Sequence, residues 1–272
     1  MTPPDNDDQT RSPAYRLAAL DQDFLLGDSM RGVRFMLEYA KAEQHLRAWG
    51  VRSTIVVFGS ARSRPGAEGA PQAYPHRTHW YEEARRFGRI ASERGGALHP
   101  KNGKRDNVIA TGGGGGIMEA ANRGAWEAGA PSIGFNIKLP HEQEPNAFQT
   151  PDLTFNFHYF AMRKMHLAMR ANALVVFPGG FGTLDELFEL MTLRQTGKIE
   201  VALPVVLFDR AYWSRLINFE ALIEEGMIER ADLDLFAFAD TAEDAWATLV
   251  RRGLKAHTPE AARPTPERPR DR

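Results

Sequence analysis

The chain has 272 residues and no cysteine, with 34 Lys and Arg against 35 Asp and Glu and a formal net charge of −1. The missing cysteine excludes disulfides, thiolate metal sites and a cysteine nucleophile. The even charge balance argues against a broad nucleic-acid-binding surface, and 43% hydrophobic with 25% charged residues is the make-up of an ordinary globular protein.

The first residues, MTPPDNDDQTRSP, are acidic and lack the basic and apolar regions of a signal peptide. Residues 1–27 are expected to be a disordered arm. A helix over Arg31–Trp49 follows. Thr54–Phe58 is β-branched and apolar and reads as a buried parallel strand. After a Pro/Gly-rich loop at 62–76, Trp80–Arg94 is helical, with Ala84, Phe87, Ile90 and Ala91 on one stripe and Gly95-Gly96 as its stop. The stretch 97–106 reads as a solvated insertion. Asn107–Thr111 is the next strand, Ile117–Ala128 a helix, Pro131–Phe135 a strand and Leu153–Phe157 another. Tyr159–Ala171 is helical, Ala173–Phe177 a strand, Leu184–Gln195 a helix, Pro204–Phe208 a strand and Tyr212–Glu225 a helix. A short strand at Phe236–Phe238 and a helix over Ala242–Arg251 complete the pattern. The tail 254–272 is expected to be disordered, because its prolines and mixed charges bury too little apolar surface to offset ordering entropy. Strand and helix alternate throughout 28–253. That predicts one α/β domain, a Rossmann-like open parallel sheet with helices on both faces. No stretch approaches the ~18 consecutive apolar residues of a membrane span, and a cytoplasmic location is expected.

Ligands of open parallel sheets bind beyond the carboxyl ends of the strands. Three such ends are glycine-rich here: Gly59-Ser60 after the first strand, Gly112–Gly116 after the second, and Gly179, Gly180 and Gly182 after the fifth. Glycine lets backbone approach a ligand closely, and the following helix start offers unpaired N–H groups to an anion. Gly59, Ser60, Gly113, Gly114 and Gly115 are therefore expected to line a phosphorylated ligand. Neither long loop is a Walker A motif, since no Gly-Lys-Ser/Thr follows. A dinucleotide fingerprint fails as well: Ile117 stands where its last glycine belongs, and no acidic residue follows about 20 positions on. Thr183-x-x-Glu186 also has the spacing of a capping box, a purely structural role for both residues. His76, His79, His158 and His166 read as satisfied or solvated, and Trp80, Trp126, Trp213 and Trp246 as core or interface residues. No metal-ligand spacing stands out.

The segment PGGFGTLDE at 178–186 resembles the PGGxGTxxE signature of the Lonely Guy (LOG) family, long labelled "lysine decarboxylase-like". Arg163-Lys164 resembles the Arg-Lys pair that accompanies it, and GGGGGIMEAANRG at 112–124 and GFNIKLPHEQ at 134–143 are similar to the family's longer bacterial branch. The resemblance spans roughly residues 54–210. It implies a phosphoribohydrolase, AMP nucleosidase-like, that hydrolyses the N-glycosidic bond of AMP or a cytokinin riboside 5′-monophosphate to free base and ribose 5-phosphate. It implies Arg163 and Glu186 as the catalytic pair. It also implies substrate contacts from Lys164, from Gly179, Gly180, Gly182, Thr183 and Asp185, and from Glu142 and Thr192. No cofactor or metal is expected, and the implied assembly is a homodimer with the site near the subunit contact. The resemblance leaves the general acid for the base unassigned.

Two other functions stay open on the sequence. One is a non-enzymatic carrier of a nucleotide or of molybdenum cofactor, as related Rossmann-like proteins are. The other is amino-acid decarboxylation, which would need pyridoxal phosphate on a lysine; no lysine context singles one out.

Overall fold

The computed structural model describes residues 5–66, 74–138, 144–199 and 203–255. Its strands are β1 (Thr54–Phe58), β2 (Val108–Thr111), β3 (Ser132–Ile137), β4 (Thr154–Phe157), β5 (Ala171–Val176), β6 (Val205–Phe208) and β7 (Phe236–Ala239). They form one sheet in the order β4-β3-β2-β1-β5-β6-β7, and every neighbouring pair is parallel. Helices α1 (Asp7–Arg11), α2 (Gln22–Leu26) and α3 (Arg31–Ala48) precede β1, and α4 (Pro75–Arg94) and α5 (Ile117–Glu127) follow β1 and β2. Beyond β4 come α6 (Phe160–Met169), α7 (Phe181–Gln195), α8 (Arg210–Leu216), α9 (Phe219–Glu224) and α10 (Ala242–Arg251). This is the Rossmann-like α/β architecture read from the sequence.

Side chains two apart on a strand share a face, and here each face has its own core. Val56, Phe58, Ala110, Leu174, Val176 and Leu207 point to one side, where Leu46 of α3, Leu167 of α6 and Leu187 and Leu190 of α7 cover them. Ile55, Val57, Ile109, Val175 and Val206 point to the other, against Phe87 of α4, Ala121 of α5 and Leu249 of α10. Both faces being apolar is why the strands read as continuous hydrophobic runs. Strand order reverses direction between β1 and β5, so the chain opens a crevice above the carboxyl ends of those two strands.

The helix before β1 is fixed by charge. Arg170, just ahead of β5, donates two hydrogen bonds to Glu43 of α3 at 2.8 and 2.9 Å and a third to the Val51 carbonyl at 3.2 Å. The Arg170 hydrogen bond foremost, aided by Arg47, holds the Glu43 carboxyl at about 2 against the opposing effect of burial. Residues 5–30 form short helical turns that bury no side chain. Arg34 of α3 ties them down by donating to the Leu25 and Gly27 carbonyls at 2.8 and 2.7 Å. Residues 256–272, most of the tail expected to be disordered, lie outside the described residues.

Several boundaries differ from the sequence expectation. The helix expected at Tyr212–Glu225 is two helices, α8 and α9, because Ile217 is extended and the Asn218 side chain caps a new start by accepting from the Ala221 amide. The stretch 97–106 is not simply solvated. Ala97 and Asp106 are fully buried, and Asp106 accepts from the Arg52 guanidinium through both oxygens. His166 is not solvated: it is buried and stacked on Tyr39 and Phe135, and neither ring nitrogen makes a hydrogen bond of good geometry with the described residues. Trp80 and Trp213 are core residues, whereas Trp126 is 61% exposed.

Helices α4 and α5 touch through backbone. A Cβ on Gly88 would overlap the Ala121 carbonyl, and one on Gly124 the Arg85 carbonyl. Glycine in an exposed helix interior normally gains about 1 kcal/mol on replacement by alanine. At this seam the sign reverses. Gly124→Ala is expected to lose about 1–3 kcal/mol through overpacking, read as a lower midpoint in urea unfolding with an unchanged slope.

Candidate active site

Three glycine-rich loops meet above the crevice, and one peptide joins them. The Ser60 amide donates to the Pro178 carbonyl at 3.0 Å, and the Ser60 carbonyl accepts from the Ile117 amide at 3.1 Å. Gly59 has no room for a side chain, since a Cβ there would lie 2.7 Å from Ile117. Gly116, at φ +68°, is also barred from carrying one because it abuts the Ser60 carbonyl. The first, second and third loops are thereby locked together.

Helix α7 starts at Phe181, three residues earlier than the apolar pattern indicated, with Gly180 as its N-cap and no side-chain cap. The amides of Gly180, Phe181 and Gly182 find no acceptor among the described residues. Donors left open at a helix start suit an anion. Gly180 and Gly182 face open space, so nothing of the protein shields them. Thr183 then occupies the third helical position, its amide bonded to the Gly180 carbonyl at 3.0 Å, and Glu186 the sixth. The capping-box reading of Thr183 and Glu186 is excluded by this start, and Glu186 stands in the second turn rather than the first.

Glu186 is 4% exposed and accepts no hydrogen bond from the described residues. Its Oε1 lies 3.7 Å from Nη1 of Arg163 on α6, whose side chain is 11% exposed. Burial pushes the Glu186 carboxyl up to about 7, although Arg163 and Lys164 pull the other way. Burial also lowers the Arg163 guanidinium, opposed by Glu186 and Asp185. Arg163 is aimed by one hydrogen bond, from Nε to the Phe135 carbonyl at 2.8 Å. The slot for its far end is Gly112, where a Cβ would overlap Nη2. A buried carboxylate with no donors among the described residues, held beside an oriented guanidinium in a cleft, makes the pair a candidate for chemistry.

The remaining expected residues separate into groups. Gly179 packs on the Thr183 side chain and lines the same cavity as Gly59 and Ser60. Gly113 and Gly114 are buried; the Gly113 amide donates to Thr111 Oγ1 at 3.0 Å, and their carbonyls accept from Asn146 and Gln149. These two build the loop and do not face the cavity, while Gly115 is half-buried beside Glu119. Lys164 pairs with Asp185 at 2.8 Å and Glu189 at 3.0 Å, and those hydrogen bonds raise it although burial acts against them. Lys164, Asp185 and Thr192 lie together in a shallow groove on the outer flank of α7, with Phe181 and Phe188. Glu142 lies outside the described residues.

The main cavity, about 870 Å³, runs from Arg163 and Met118 across the Pro178–Thr183 loop to Trp80, Tyr212 and Arg215. Sequence reasoning missed Tyr212, which donates from its hydroxyl to the Gly179 carbonyl at 2.7 Å and braces the anion loop. It also missed Gly112 and the Phe135 carbonyl. Gly112 had a signal, since it opens the glycine run; the other two depend on tertiary contacts alone. Among the described residues no group of three His, Cys, Asp or Glu is placed to hold a metal ion.

Residues 118–249 match the family model described as "Possible lysine decarboxylase". The chain is 27% identical over 146 residues to a "Probable cytokinin riboside 5′-monophosphate phosphoribohydrolase" of Oryza sativa subsp. japonica, covering 53% of this chain and 62% of that one. It is 27% identical over 140 residues to a cytokinin riboside 5′-monophosphate phosphoribohydrolase of Arabidopsis thaliana, covering 51% and 64%. The alignments thus span under two thirds of the length of these relatives. A solved structure of the molybdenum cofactor binding protein from Rippkaea orientalis is 19% identical, with a TM-score of 0.47 and coverage of 74% of this chain and 97% of that chain.

The electrostatics of the buried pair are directly measurable. Glu186 is expected to titrate in ¹³C NMR near pH 7, well above the ~4.3 of an exposed glutamate. Arg163→Ala removes the largest opposing charge and is expected to move that midpoint further up.

Proposed function

We propose that the chain is a member of the LOG family, as its match over residues 118–249 and its plant relatives support, and that it hydrolyses the N-glycosidic bond of a nucleoside 5′-monophosphate. The products are the free base and ribose 5-phosphate, and AMP or N6-substituted AMP is the substrate class. The observation that carries this reading is the buried Arg163–Glu186 pair, 3.7 Å apart, beside an uncapped helix start with open amides. The family names of the plant relatives support the reaction class.

The chemistry follows from charge. Breaking the glycosidic bond leaves positive charge on the ribose, spread between the anomeric carbon and the ring oxygen. The ionised Glu186 stabilises that charge and orients the attacking water. The 5′-phosphate rests on the amides of Gly180, Phe181 and Gly182, which are stronger partners in a desolvated site than in water. Arg163, through its remaining N–H groups, holds a ribose or phosphate oxygen and keeps Glu186 from rising beyond neutrality. Glycine 112 is a positioning residue, since it gives the guanidinium its place.

We further infer a homodimer that meets across the outer flank of α6 and α7. Phe181 is 90% exposed there and shares a groove with Phe188, and α6 exposes Phe160 and Met169. An apolar surface of this kind beside the site fits a subunit contact better than bulk water.

Purified protein is expected to release adenine and ribose 5-phosphate from AMP, followed by chromatography. Glu186→Gln and Arg163→Ala are each expected to slow release at least tenfold, in keeping with the ~10²–10³ of single electrostatic groups. Because Glu186 acts ionised, kcat/KM is expected to fall as pH drops through about 7. A screen of nucleoside monophosphates that yields no free base would remove the proposal and favour a nucleotide carrier. Light scattering is expected to give twice the 30.4 kDa chain mass.

A further inference from the structure

The reaction above occupies only part of the cavity. Sheet order lays it out: Arg163 and Met118 sit on the β2–β3 side, the Pro178–Thr183 loop over β5, and Tyr212 and Arg215 over β6. The anion loop is therefore in the middle, with room on both sides. At about 870 Å³ the cavity is near the top of the ~300–1,000 Å³ range of small-molecule pockets.

Toward β6 the cavity carries charge that no carboxylate of the described residues answers. Arg215 of α8 lies on that side, Arg77 of α4 and Arg62, which follows β1, line the same cavity, and none of the three pairs with a carboxylate among the described residues. Several other arginines sit on glutamates, as Arg85 does on Glu127 at 2.7 Å, Arg94 on Glu243 at 2.7 Å and Arg230 on Glu220 at 2.8 Å. Three cations that line one cavity with no carboxylate partner among the described residues suit an anionic ligand.

The walls of this half are rigid. Trp80 Nε1 donates to Asp209 Oδ2 at 2.8 Å, and the other Asp209 oxygen accepts from the Tyr212 amide at 2.9 Å. Asp209 holds a left-handed φ of 69° to make both bonds. Tyr212 is then fixed to Gly179 by its hydroxyl, and its ring meets Trp80 edge-on at 5.5 Å. Arg77 stacks on the Tyr74 ring at 3.9 Å, which keeps its guanidinium in place and its N–H edge open. A site ordered before binding loses less freedom on taking its ligand.

We propose that the cavity holds a second anion subsite, formed by Arg62, Arg77 and Arg215, that takes a phosphate joined to the 5′-phosphate of a bound nucleotide. The protein then binds nucleoside 5′-diphosphates more tightly than monophosphates, and they compete with the substrate. This rests on the nucleotide reading of the other half. The shared ligand chemistry is the diphosphate, whether its far end is free or esterified.

Calorimetry on the full chain carrying Glu186→Gln, with AMP, ADP and ADP-ribose as probes, tests it. ADP is expected to bind at least tenfold more tightly than AMP. Adding Arg77→Ala, at a half-buried position, or Arg215→Ala, at an exposed one, is expected to shrink that ratio below threefold. Tight ADP with weak ADP-ribose assigns the subsite to a terminal phosphate, and equal tightness extends it to esters. In the wild-type chain ADP is expected to inhibit AMP turnover with a constant at least tenfold below the KM of AMP. Equal affinity for AMP and ADP, or a ratio unmoved by both arginine variants, overturns the subsite. The two proposals fail separately: base release from AMP without an ADP preference leaves the reaction standing, and an ADP preference without base release leaves the subsite standing.

Discussion

A guanidinium and a carboxylate face each other 3.7 Å apart where water scarcely reaches, and the neighbouring structure is arranged around that pair. Removing two charges from water is unfavourable by several kcal/mol each, and mutual attraction recovers this only in good geometry. Here the geometry is deliberately incomplete. Arg163 keeps one firm hydrogen bond, to the Phe135 carbonyl, and Glu186 has none. The deficit shows as a carboxyl poised near neutrality. In the reaction we propose, the substrate's hydroxyl and phosphate groups supply the partners both residues lack among the described residues, so binding and catalysis draw on the same unsatisfied charge.

That pair is held by elements far apart in the chain. Arg163 comes from α6, on one face of the sheet, and rests on Gly112 at the end of β2. Glu186 comes from α7, after β5. The Ser60 peptide spans the distance, bonded to the third loop through its amide and to the second through its carbonyl. Glycine is required at Gly59 and Gly112 by contact with Ile117 and Arg163, not by turn geometry. Gly180 and Gly182 have open space around them, and there the absence of a side chain serves approach by something else.

The layers of this fold were readable because burial on both faces writes uninterrupted apolar strands such as Thr54–Phe58, copied without change in the structure. Helix starts were less so. The stripe of α7 begins at Leu184, yet its first turn is Phe181-Gly-Thr, residues whose role is set by the loop and not by a core. The break at Ile217 was hidden because α8 and α9 share one apolar pattern, and only Asn218 marks the new start. In the site, Arg163 and Glu186 were identified through a resemblance, since spacing alone equally permitted a cap. Tyr212 and the Phe135 carbonyl had no sequence signal: each acts through a partner more than twenty residues away that only folding brings near. Asp106 looked solvated in a run of Lys, Arg and Asn, because its partner Arg52 lies in another segment.

The seam between α4 and α5 has a bearing on motion. Where two helices meet backbone to backbone, as at Gly88 and Gly124, neither slides without a carbonyl meeting a Cα. These are the helices that lead away from the first two glycine loops, so those loops behave as a single fixed jaw. The third loop is borne by α7 and braced by α8 through the Tyr212 hydroxyl, and α8 is itself anchored by the buried Trp213, whose indole donates to the Phe208 carbonyl at 2.9 Å. Both flanks of the crevice are thus anchored, the β1–β2 side by the helix seam and the β5–β6 side by Tyr212 and Trp213, and a ligand meets walls that are already in place.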